Sequence, residues 1–210
     1  MSDGPDPDTV APEQALQRLV EGNQRFRETG GAEPDRLWSR HLATGAQRPF
    51  AIVLGCSDSR IPVEIVFDAG FGDLFVVRVA GNIVAPSVVG SIEFAASQFG
   101  TRLVVVMGHT SCGAIAATID SIATGRDPRS KNIRSITDRI APHIEDLVRS
   151  AQGPDVEHQA MRANVRASVD HLRHGSPLLE ELVLAGDLAV IGAEYELATG
   201  EVHFFERVPS

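Results

Sequence analysis

Positive charge is in short supply in this chain. Nineteen lysines and arginines stand against 28 aspartates and glutamates, a net charge of -9 over 210 residues. That deficit excludes a nucleic-acid or anionic-membrane partner, which would require a basic patch. Long apolar runs are lacking too. Even Leu74 to Val79 is interrupted by Arg78, so nothing here is suited to span a bilayer. The N-terminus, Met-Ser-Asp-Gly-Pro-Asp-Pro-Asp, has no apolar core of the kind a secretory signal needs, and the expected location is the cytoplasm. No Gly-x-Gly-x-x-Gly follows an apolar run, which excludes the dinucleotide fingerprint of a dehydrogenase. Cysteine occurs only twice, as Cys56 and Cys112. In a reducing compartment two such thiols are free or metal-bound rather than a structural disulfide.

What is present describes one ordinary globular domain. A hydrophobic share of 43% is far above the level of a disordered chain. Residues 1–10, rich in Pro, Asp and Gly, read as a disordered tail, and residues 11–210 as a single domain with an N-terminal helical arm. That arm starts at Pro12, a residue suited to a first helical turn, and carries Leu16, Leu19 and Val20 at helical spacing. A second short helical segment is expected through Leu37 and Leu42. Four compact apolar runs follow: Phe50 to Leu54, Leu74 to Val79, Leu103 to Met107 and Leu188 to Ile191. Such runs suit strands of a parallel sheet buried on both faces. Helices are expected between them, over 84–98, from about Ser111, and over 132–186 with breaks at Pro142, Gly153-Pro154 and Gly175-Ser176-Pro177. Glu194 to Leu197, a Thr199-Gly200 turn and Val202 to Phe205 read as a closing hairpin. The fold class is therefore α/β: a mostly parallel central sheet of about four strands with an antiparallel edge strand, flanked by helices.

Cys56 comes directly after the first apolar run and His109 directly after the third. Ligands of open parallel sheets gather at the carboxyl ends of strands, and adjacent strands lie about 4.8 Å apart. Cys112, three residues beyond His109 and entering the next helix, can supply a third ligand. Two thiolates and an imidazole suit zinc better than magnesium or calcium. Cys56, Asp58 and Arg60 alternate, so an extended segment points them the same way. A carboxylate two residues from a zinc ligand reaches the metal or a water on it, and an arginine beside it can hold it in a charge-assisted pair. By contrast His171 and His174, three apart on a helix with no third ligand near, read as solvated helix residues.

The runs Cys-Ser-Asp-Ser-Arg at 56–60 and Gly-His-Thr-Ser-Cys-Gly-Ala at 108–114 resemble the β-class carbonic anhydrases. The resemblance extends through Phe75-Val-Val-Arg78, Ala80-Gly-Asn82 and Ser91-Ile-Glu-Phe94, and covers the chain from about Leu16 to Phe205. It implies zinc-dependent, reversible hydration of carbon dioxide to bicarbonate and a proton, with one zinc per chain. It further implies zinc ligands at Cys56, His109 and Cys112 and a catalytic Asp58–Arg60 dyad, with Asp58 as a fourth ligand in a closed state. Gln47 matches the glutamine that hydrogen-bonds the substrate from a partner subunit. Phe75, Ala80 and Phe94 match an apolar wall near the metal. In one subgroup an arginine, a tyrosine and a tryptophan bind bicarbonate at a second site; Arg78 and Tyr195 match two of these, but Val53 stands where the tryptophan would be.

The implied partners are carbon dioxide or bicarbonate and further copies of this chain, as a homodimer or dimer of dimers. The N–H of Gly113, at a helix start, is a candidate donor to the developing bicarbonate oxygen. His41 and Tyr195 are candidate proton shuttles. Two thiolates cancel the charge of Zn(II), so activity is expected to rise on the alkaline side of neutrality. The rival readings are a hydrolase of carbon disulfide or carbonyl sulfide on the same scaffold, and a non-catalytic zinc module closed by Asp58.

Overall fold

The computed structural model describes residues 9–30, 47–150, 153 and 155–205. The expected tail lies almost wholly outside these residues, as do the segment through Leu37 and Leu42 and the side chain of His41. Among the described residues a five-stranded sheet forms, built from β1 (Ala51–Gly55), β2 (Leu74–Arg78), β3 (Leu103–His109), β4 (Ala189–Tyr195) and β5 (Val202–Phe204). Its order is β2-β1-β3-β4-β5. The first four strands run parallel and β5 is antiparallel to β4. Every residue of β1, β3 and β4 is buried, which is why these strands read as continuous apolar runs rather than alternating ones.

Two strands run further than their apolar runs. Pairing of Gly108 with Glu194 and of His109 with Tyr195 carries β3 into the metal motif. It also joins Glu194 and Tyr195 to the run that begins at Ala189, so one strand stands where the sequence offered two. Backbone hydrogen bonding continues through polar residues that apolar periodicity cannot register.

The helices are α1 (Pro12–Thr29), the single turn α2 (Val63–Val66), α3 (Pro86–Phe99), α4 (Gly113–Thr124), α5 (Lys131–Ser150), α6 (Val156–His174) and α7 (Pro177–Leu184). The expected break at Pro142 does not occur, because α5 runs straight through it. Proline removes one hydrogen bond from the ladder, while burial of Ile140 and Ile144 on either side holds the two halves to the same surface. The expected N-terminal helix is α1, which buries Ala15 and Leu19. The buried Asn23 donates through Nδ2 to the carbonyls of Val66 (3.1 Å) and Gly200 (2.9 Å) and accepts from the Val202 N–H (2.9 Å).

One close approach sets the site end of the sheet. A Cβ added to Gly108 would lie 2.6 Å from both Met161 Sδ and Val165 Cγ2 on α6. The missing side chain lets α6 settle directly on the last turn of β3 before His109. Gly108→Ala forces a methyl into that contact, and overpacking of this kind costs about 1–3 kcal/mol. Chemical denaturation should show that loss, with the steepness of the transition unchanged.

Candidate metal centre

The carboxyl ends of β1 and β3 lie side by side, with Gly55 opposite Met107, so the residues that follow converge. Cys56 leaves β1, His109 closes β3, and Cys112 stands at the N-cap of α4. One ligand atom from each lies within 4.8 Å of the others, and all three residues are buried. Ser111, between His109 and Cys112, takes a left-handed backbone (φ 54°). That unfavourable conformation for a non-glycine residue turns the chain sharply enough to bring both side chains to one point.

The histidine is oriented by its own neighbour. Its Nδ1 lies 2.9 Å from the Thr110 carbonyl, a geometry that assigns the ring proton to Nδ1 and leaves the Nε2 lone pair free. Thr110 is itself pinned, its N–H donating to the Tyr195 carbonyl (3.1 Å) and its hydroxyl accepting from the Leu197 N–H (3.0 Å). Nε2 is fully buried and has no hydrogen-bond partner among the described residues. A buried nitrogen left in that condition is costly, and a metal ion among the three side chains satisfies it. Two sulfurs and one imidazole form the borderline-soft donor set that zinc takes.

The two thiols differ in acidity. The hydrogen bond from Cys112 to the Cys56 sulfur, helped by the Gly81 N–H, holds Cys56 far below the usual thiol range. The same shared bond, with burial, pushes Cys112 up.

Asp58 and Arg60 meet as a bidentate pair. Arg60 Nε lies 2.9 Å from Oδ1 and Nη2 lies 2.7 Å from Oδ2, while the Arg60 backbone N–H adds a third bond to Oδ1 (2.9 Å). The guanidinium holds the Asp58 carboxyl well below the ordinary carboxylate range. Arg60 Nη2 also donates to the Ser111 carbonyl at 3.1 Å, so one side chain ties together the two loops that carry the ligands. Asp58 Oδ2 is 4.0 Å from His109 Nε2. It therefore faces the cluster without joining it.

Arg78 has a part that the motifs alone did not disclose. Its Nε donates to the Cys56 carbonyl (3.0 Å) and its Nη2 to the Asp58 carbonyl (2.6 Å), clasping the loop between them. Ala80 opens the short 3-10 turn Ala80–Asn82 beside Cys56, and Gly113 begins α4 with its surface open. Tyr195 is buried, and burial pushes its phenol up, which counts against proton transfer near neutrality. Val53 is wholly inside β1. His171 and His174 stay on the exposed side of α6, where His174 lies 3.6 Å from Glu180.

Gln47, Phe75 and Phe94 are not gathered at this cluster within one chain. Gln47 precedes the amino end of β1, and Phe75 pairs with Ile52 at that same end, whereas Cys56 lies beyond the carboxyl end. At about 3.3 Å per residue the strand keeps them apart. Phe94 is 52% exposed and packs edge-on against Phe99, with Phe75 on that same ring (centroids 5.5 and 6.1 Å). Gln47 and Phe99 line one open cavity. The expected wall of Phe75, Ala80 and Phe94 is thus divided, with Ala80 alone beside the ligands of its own chain.

The sequence profile of the family described as carbonic anhydrase matches residues 51–202. The chain is 38% identical to a carbonic anhydrase of Mycolicibacterium smegmatis over 91% of its own length and 92% of that protein's. It is 36% identical to carbonic anhydrase 2 of Mycobacterium tuberculosis, covering 90% of each. Among solved structures, the β-carbonic anhydrase CcaA superposes with a TM-score of 0.70 at 27% identity, covering 91% of this chain and 95% of that one.

Thiolate ligation makes a measurable claim. Zinc held by Cys56 and Cys112 displaces the protons those thiols carry, so the apparent dissociation constant should fall as pH rises from about 7 to about 8.5. Competition against a chromophoric chelator measures this, and a constant independent of pH would contradict thiolate ligation.

Proposed function

The chain belongs to the β class of the carbonic anhydrase family, and we propose that it carries out the reversible, zinc-dependent hydration of carbon dioxide with Cys56, His109 and Cys112 as metal ligands and Asp58–Arg60 as the catalytic dyad. The observation that carries this reading is the convergence of two sulfurs and an unpartnered, buried Nε2 beside a carboxylate already held by arginine. Zinc in that position supplies Lewis acidity and makes hydroxide available near neutral pH.

The remaining work falls to the chain. Asp58, kept anionic by Arg60, offers Oδ2 on the cluster side as the acceptor for the nucleophile's proton, and so orients its lone pair toward the substrate. Both its oxygens are engaged by Arg60, which holds Asp58 from serving as a fourth ligand and favours an enzyme over a closed zinc module. Ala80 supplies a small apolar surface for carbon dioxide, and the Gly113 N–H at the start of α4 is the candidate donor to a bicarbonate oxygen. Cys56 and Cys112 must stay reduced to serve as ligands, which supports a cytoplasmic location.

The distribution of Gln47, Phe75 and Phe94 supports a two-fold homo-oligomer. β2 is an edge strand of half-buried residues, and Phe94 is exposed beside it. An isologous contact through this surface would bring Gln47, Phe75 and Phe94 of one copy to the metal cluster of the other, as a dimer or a dimer of dimers.

Stopped-flow measurement should show carbon dioxide hydration by the zinc-loaded protein. Arg60→Ala should lose about 10–100-fold in kcat/KM while retaining zinc, as expected when a partner of the reacting carboxylate is removed. Absence of hydration in zinc-loaded wild type would refute the reading. Subunit mixing tests the assembly: Gln47→Ala and Cys112→Ser, each impaired alone, should regain activity as mixed oligomers, because one site then has a complete set. No recovery would confine Gln47 to its own chain or to no role.

A further inference from the structure

The sulfur of Cys56 is hydrogen-bonded from behind. The donor is the backbone N–H of Gly81, 3.2 Å away, in the Ala80–Asn82 turn. Such a bond is directional, so the orientation and donor strength of the ligand depend on where the turn holds that N–H. Gly81 cannot anchor itself. It has a left-handed backbone (φ 69°), and an added Cβ would lie 3.0 Å from Ala114 and Ile140. Nor is the flank of the turn filled, since a cavity of about 220 Å³ opens there between α5 and α6, lined by Ile83, Val84, Asn164 and Ser168 among others.

What grips the turn is polar. Asn164 Nδ2 on α6 donates to the Gly81 carbonyl at 2.9 Å, and Ser168 Oγ reaches the Asn82 carbonyl at 3.4 Å. Asn164 is 2% exposed and shares the buried face of α6 with Met161, Val165 and Leu172. An amide on that face is costly unless its donor is used, and the Gly81 carbonyl is where it is used. α6 comes within reach because Gly108 lets it settle against β3.

We infer that Asn164 is a positioning residue for the metal centre, fixing the Gly81 turn so that its N–H aims at the Cys56 sulfur. Asn164 touches neither metal nor substrate. The inference rests on the metal-site reading and extends the ligand environment to a residue 108 positions along the chain from Cys56.

The test compares wild type with Asn164→Ala and the near-isosteric Asn164→Leu, each loaded with zinc and, separately, with cobalt(II). Wild-type protein should bind one zinc per chain; if it does not, the metal reading fails and this inference fails with it. The variants should fold, judged by circular dichroism, bind zinc about 10-fold or more weakly, and shift the thiolate-to-cobalt charge-transfer band. KM for carbon dioxide should stay near wild type, since the substrate surface is untouched. A purely structural asparagine would lower stability alike with and without metal and leave the band in place. Wild-type zinc affinity and an unshifted band in either folded variant would overturn the inference, as would failure of both variants to fold.

Discussion

Three lone pairs pointed at one buried spot are the constraint on which the rest of this molecule depends. Cys56, His109 and Cys112 are each almost wholly removed from water, and among the described residues His109 Nε2 has no hydrogen-bond partner. Burial of unpaired donors and acceptors is among the costlier things a fold can do. The surrounding structure is arranged to hold them there. β1 and β3 lie as parallel neighbours, Ser111 accepts a left-handed backbone, and Thr110 takes the histidine's proton side so that Nε2 is left for the ion.

The polar side chains around the cluster form a cage of a consistent kind. Arg60 bonds Asp58 and the Ser111 carbonyl; Arg78 bonds the Cys56 and Asp58 carbonyls. Both use guanidinium forks, whose fixed geometry grips two acceptors at once. Loops are the softest parts of an α/β fold, and these two are cross-braced by charge-assisted bonds instead of packing. Asp58 is thereby held as an anion facing the cluster, which is the state that proton acceptance requires.

Much of this was legible in the sequence, for reasons that can be named. The strands were visible because parallel strands are apolar on both faces, and the ligands because they follow those strands directly. The pairing of Asp58 with Arg60 was visible from their alternation with Cys56. Other features were hidden because nothing local encodes them. Pro142 was read as a break, yet flanking buried isoleucines carry α5 past it. Within one chain Phe75 pairs with Ile52, four residues before Cys56, a fact that only strand pairing supplies. Asn23 ties α1 to carbonyls more than forty residues away, a link that no local pattern encodes. Asn164 did leave a trace: a polar residue on the apolar face of an amphipathic helix, with Ser168 one turn later. Its partner is a backbone carbonyl, which has no signature in sequence.

X-ray absorption at the zinc edge of the loaded protein tests the central claim most directly. The arrangement of Cys56, His109 and Cys112 predicts one zinc per chain with two sulfur neighbours at about 2.3 Å and a nitrogen or oxygen shell at about 2.0–2.2 Å. A zinc shell without sulfur, or with a single sulfur, would contradict it.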